Sequence, residues 1–111
     1  MMTGSLHGRA DGAETDVQDG YVMFQISGTL QPQDNQYVHD ICHPQTGEII
    51  GTVRMRWAHK YGHRYGGVGV VTDGKVECVW NGDGGWVKVR IPSETPLTKV
   101  IIRDRLLKIP D

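Results

Sequence analysis

From residue 21 onward, apolar side chains come in short runs that alternate with polar positions and break at turn residues about every ten positions. That rhythm predicts strands. The runs cover residues 21–30, 37–43, 48–57, 67–72, 75–80, 86–91 and 98–103. Alternation assigns faces within them, because successive side chains of a strand point to opposite sides. Val76, Cys78 and Trp80 oppose Lys75, Glu77 and Val79, while Val87, Val89 and Ile91 oppose Trp86, Lys88 and Arg90. In the third run Ile49, Val53, Met55 and Trp57 share a side, with Thr52, Arg54 and Arg56 on the other. No stretch carries an apolar period near 3.6 over the ten or more residues a helix needs, and residues 103–108 have room for one turn.

Turn chemistry joins the runs. Asp73-Gly74 predicts a tight two-residue hairpin of type I′, Pro44-Gln45-Thr46-Gly47 a type I turn closing on a left-handed glycine, and residues 81–85, with three glycines, a looser hairpin loop. Pro92 and Pro96 keep residues 93–97 out of any interior strand. Residues 1–20 have almost no large apolar side chain to offset the entropy of ordering, so they are expected to form a disordered acidic arm ahead of one domain, residues 21–111. The fold class that follows is all-β: a small, partly open antiparallel barrel of five to seven strands, with a β-sandwich as the alternative.

Between residues 66 and 109 the order is Gly-Gly-Val-Gly-Val-Val-Thr-Asp-Gly-Lys, a strand ending in Trp80 beside an Asn-Gly-Asp-Gly-Gly loop, and a terminal Leu106-Leu107 turn. This resembles the Src-homology-three-like small barrels, which implies a barrel over a sandwich. The extra strand at 86–91 and the long stretch before residue 58 depart from that pattern. The resemblance implies no functional residue.

The 111 residues carry 12 basic and 13 acidic side chains, a formal charge of -1, which excludes a polyelectrolyte tail. No apolar run is long enough to span a bilayer, and the first residues have no signal-peptide pattern, so a cytoplasmic address without membrane contact is expected. Resolved along the chain, the charge is sorted. Residues 54–65 hold Arg54, Arg56, Lys60 and Arg64 with no acid, interleaved with Trp57, Tyr61, Tyr65, His59 and His63. Cations and aromatics of this kind suit an anionic partner. With Trp86 as an exposed anchor, they suggest a non-catalytic binding module that contacts an acidic protein surface through Arg54, Arg56, His59, Lys60, Tyr61, His63, Arg64 and Tyr65. The acidic arm would compete with a ligand for this loop.

Three other readings remain open. A nucleic-acid-binding protein, or a small RNase with His59 and His63 as base and acid and Lys60 and Arg64 as phosphate stabilisers, uses the same loop, although no carboxylate there orients either ring. A metal site would draw on His39, His43, His59 and His63. On a strand, however, His39 and His43 stand about 13 Å apart, too far for one ion. A homo-oligomer would pair through an edge strand at 98–103, which is apolar on both faces. Cys42 and Cys78 sit in no metal-binding spacing and read as free thiols, and no cofactor motif occurs.

Overall fold

Each of the seven apolar runs contains a strand in the computed structural model, which describes residues 12–26, 30–31, 35–57, 67–92, 94 and 96–108. The strands are β1 (Ala13–Gln18), β2 (Tyr21–Gln25), β3 (Leu30–Gln31), β4 (Asn35–Cys42) and β5 (Ile49–Trp57), then β6 (Gly67–Gly74), β7 (Glu77–Gly82), β8 (Trp86–Arg90) and β9 (Lys99–Lys108). All pairings are antiparallel, and the ladder runs β6-β5-β4-β9-β1-β2-β8-β7, with β3 beside β4. The two ends of this path, β6 and β7, are consecutive in the chain, so the sheet curls into a nearly closed barrel. The all-β barrel is as expected, with eight strands along the path where five to seven were anticipated.

β-Branched residues fill the interior. Val22, Ile41, Val53, Val87, Val89, Val100 and Ile102 are buried together, as their alternation predicts, and each contributes about 1.5–3 kcal/mol by leaving water. β9 is not an edge: it lies between β4 and β1, placing Val100 and Ile102 in the core. This removes the basis for pairing between copies through residues 98–103. Nor do residues 103–108 make a helical turn, because β9 stays in register with β4 as far as Lys108 opposite Asn35. β8 ends at Arg90 and β9 begins at Lys99, so the described residues of the Pro-fenced segment, Glu94, Pro96 and Leu97, stay out of the sheet.

Part of the expected arm is ordered. Residues 1–11 lie outside the described residues, but residues 13–18 form β1, paired with both β9 and β2. Asp19 (φ 54°) and Gly20 (φ 87°) turn β1 into β2, with positive φ at both positions, as a two-residue type I′ turn requires. Lys99 fixes β1 from the outer side, 3.0 Å from Asp16 and 3.7 Å from Glu14. The hydrogen bond to Asp16, then the charges of Asp16 and Glu14, hold the Lys99 ammonium above its ordinary pKa. Two acids of the arm, Glu14 and Asp16, therefore meet Lys99.

The Asp73-Gly74 hairpin does not form. Asp73 stays extended opposite Thr52, and Gly74 alone takes positive φ (84°). The chain turns a corner there, with Lys75 N–H donating to the Ile50 carbonyl (3.0 Å), and β7 continues to the opposite end of the ladder. Residues 66–109 accordingly do not close into a small barrel of their own: β6 pairs with β5, and β9 with β4 and β1. The Pro44–Gly47 turn does form, with Gly47 at φ 77° and its N–H donating to the His43 carbonyl (2.9 Å). The 81–85 hairpin forms too, tightened to three residues in a 3-10 turn.

Bulges explain where alternation misassigns a face. Ile50 is the extra residue between the Ile41–Gly51 and Cys42–Ile49 pairs; it packs half-buried on the core, while Ile49 turns outward. Val79 is extra between Cys78–Val89 and Trp80–Lys88, which rotates Trp80 out of the core. Both cysteines are free, Cys42 buried and Cys78 half-buried. Burial raises the Cys42 thiol pKa, opposed by Arg103 and reinforced by Asp40. Native protein treated with a maleimide should therefore lose one thiol quickly, at Cys78, and the second only on unfolding. Mass spectrometry showing Cys42 modified first would contradict this packing.

Candidate functional site

Outer positions of three adjacent strands make one exposed face. On β8 the inward Val87 and Val89 leave Trp86, Lys88 and Arg90 outward; β2 contributes Tyr21, Met23 and Gln25, which pair with Arg90, Lys88 and Trp86. β7 brings Trp80 opposite Lys88, Gly82 opposite Trp86 and Glu77 opposite Arg90. Trp80 is 47% exposed, Trp86 42% and Met23 51%. A Cβ at Gly82 would lie 2.6 Å from Trp80 Cζ2 and Cη2, so this glycine lets the Trp80 indole lie over the strand.

Charge on this face is ordered by an aromatic ring. Lys88 Nζ lies 4.7 Å from the centre of the Tyr21 ring, and Arg90 Cζ 5.3 Å from it. Arg90 Nε also reaches Glu77 at 3.6 Å, an exposed pair of small energetic weight. Beyond Tyr21 and Arg90 the face continues into a groove of about 390 Å³ bounded by Val17, Pro92, Pro96 and Leu97. At the other end, Gln25 Nε2 donates to the Gly84 carbonyl (2.6 Å) and ties β2 to the hairpin tip.

Of the residues singled out in the sequence, Trp86 lies on this face. Arg54 is half-buried on β5, opposite Val38 and Val71 and away from β8 in the ladder. His59, Lys60, Tyr61, His63, Arg64 and Tyr65 lie outside the described residues, as does the Arg56 side chain. Strand directions nevertheless put the end of β5 and the start of β6, which bracket residues 58–66, at the same end of the barrel as the Asp83–Gly85 tip. Trp80 was missed because a bulge, invisible in the alternation, decides its direction.

The two described histidines do not converge. His43 Nδ1 accepts from Gln45 N–H (3.1 Å) and Thr46 N–H (3.4 Å), capping the turn after β4. His39, 3% exposed, points into the barrel, where its Nδ1–H donates to Asp104 Oδ1 at 2.7 Å and its ring meets Phe24 edge-on. On the opposite side of β4, buried Asp40 accepts from Arg105 Nε at 2.8 Å. Among the described residues no group of three or more His, Cys, Asp or Glu converges as a metal site, and no helix is long and apolar enough to cross a membrane.

Comparison of the chain with protein families, curated proteins and solved structures gives no match.

Proposed function

We propose that this protein is a non-catalytic binding module that contacts an acidic protein surface through the outer face of β2, β8 and β7. The observation that carries the reading is the pair of exposed indoles, Trp80 and Trp86, on neighbouring strands beside the Lys88–Tyr21–Arg90 stack. Protein interfaces are enriched in Trp, Tyr, Met and Arg, the side chains this face presents, and truncating such anchors accounts for most of the measured binding energy. Aromatic rings lose little entropy on contact, and the two cations favour an acidic partner. Residues 58–66, with their further cations, are bracketed by strands that end at the hairpin-tip end of this face, so they extend the same reading.

The test is recovery of bound partner from extracts of the native host, with nuclease-treated and untreated arms. Trp86→Ala and Trp80→Ala should each weaken capture about tenfold, and Lys88→Glu with Arg90→Glu should abolish it while leaving the fold intact. Capture unchanged in all variants would overturn the assignment of this face. Capture that disappears on nuclease treatment would replace the protein partner with nucleic acid.

A further inference from the structure

Where β8 ends, the chain runs on through Ile91 and Pro92, and the returning residues 96–98 lie beside β1, leaving the open groove that continues the candidate face. Its volume, about 390 Å³, is large enough for a bulky side chain. Ile91 belongs to the buried core and the half-buried Val17 and Leu97 pack against it, so the barrel backs the groove with apolar surface. Pro92 and Pro96 add rings without N–H groups. Two backbone donors around it are already satisfied: Val17 N–H donates to the Thr98 carbonyl (2.8 Å) and Ile91 N–H to the Gly20 carbonyl (2.8 Å). An occupant therefore gains mainly by burying apolar surface.

Charge along the groove is ordered. Following β2 back toward its turn, Lys88 lies beside Met23, Arg90 beside Tyr21, and Asp19 past the start of the strand. Among the described residues that line the groove, Arg90 is the one cation and Asp19 the one acid. Arg90 is more than half exposed and shares the Tyr21 ring with Lys88, so two cations stand where the groove meets the face. Glu77, which does not line the groove, faces Arg90 from β7 as an exposed pair of little weight. An occupant is matched when its carboxylates reach toward Lys88 and Arg90 and none lies toward Asp19.

We infer that the groove holds a bulky apolar side chain of the acidic partner, carried by a segment whose carboxylates lie on one flank only and meet Lys88 and Arg90; this rests on the reading of the outer face as the contact for an acidic protein. The probes are the peptide Ac-Glu-Glu-Phe-NH2 and its reverse Ac-Phe-Glu-Glu-NH2, titrated into the isotope-labelled full chain and followed through backbone amide shifts. One of the two orders should give saturable shifts at Val17, Tyr21, Ile91 and Leu97 at about millimolar concentration, and replacing Phe by Ala, or both Glu by Gln, should each cost about tenfold. Arg90→Gln should narrow the preference for Glu over Gln to about twofold. Thr98→Trp, which fills the groove from an exposed position, should abolish saturation. Absence of saturable shifts with both orders, an Ala peptide that binds as tightly as the Phe peptide, an Arg90→Gln variant that keeps the full preference, or binding that survives Thr98→Trp would each overturn the inference. Partner capture separates this from the reading beneath it. Capture that falls in Trp86→Ala but not in Thr98→Trp strikes the groove and leaves the face, whereas capture indifferent to both tryptophan variants strikes the face whatever the peptides do.

Discussion

Asp104→Ala is expected to destabilise the protein by about 3 kcal/mol, lowering its thermal midpoint by roughly 12–15 °C. His39 is buried and reaches the carboxylate at 2.7 Å, so truncation takes the charged acceptor from a buried imidazole N–H beside Phe24. The cost lies in that stranded donor more than in the net worth of the bond. The paired change His39→Leu with Asp104→Leu removes both polar groups and should recover at least half of the loss. Calorimetry of the two variants decides the matter: a single variant within about 0.5 kcal/mol of the parent, or a double variant worse than the single, would show that the pair is not held as described.

Gly51→Ala is the second large effect, also about 3 kcal/mol, at the upper end of what overpacking costs. Its Cβ would fall 2.5 Å from Val76 Cγ2 and 2.7 Å from the Asp73 carbonyl oxygen. Val76 is buried and the Asp73 carbonyl is backbone, so neither yields easily. The contact exists because the chain crosses over β5 at Gly74; a hairpin at Asp73-Gly74 would have carried Val76 elsewhere. Gly69→Ala, on the same strand pair with nothing within 4 Å of its Cβ, should stay within about 0.5 kcal/mol of the parent. Urea midpoints at unchanged slope measure both. Equal behaviour of the two variants would remove the corner.

Two of the chain's Asp-Gly dipeptides, Asp19-Gly20 and Asp73-Gly74, show what local pattern can carry. Asp19-Gly20 makes the two-residue hairpin, yet it sits beside side chains too small to announce a strand: Ala13, Thr15 and Val17 alternate with Glu14, Asp16 and Gln18. The period of two was present, but the hydrophobic contrast was not. Asp73-Gly74 sits between two strongly apolar runs and makes a corner, because Asp73 is held extended by its pairing with Thr52. A dipeptide permits positive φ; its strand partners decide whether both residues take it.

The candidate face was half legible. Trp86 follows from simple alternation on β8, whereas Trp80 depends on the bulge at Val79, which appears only when β7 is laid against β8. The charge of residues 54–65 is the most sorted in the chain, while the cations of the candidate face, Lys88 and Arg90, belong to a stretch of nearly balanced charge. His39 stood out for its spacing to His43. Its actual partner, Asp104, lies 65 positions away, and no local pattern couples residues so distant.

The chain by itself determined the class of its elements, most of its core and two of its turns, because period-two burial and turn residues act over a few neighbouring positions. Tertiary structure alone decided the rest: that residues 13–18 join the sheet, that β9 sits at its centre, and where bulges turn Ile49 and Trp80 outward. Each of these depends on which strand lies beside which. That choice is settled by closing the whole sheet around one core, not by any segment's own preference.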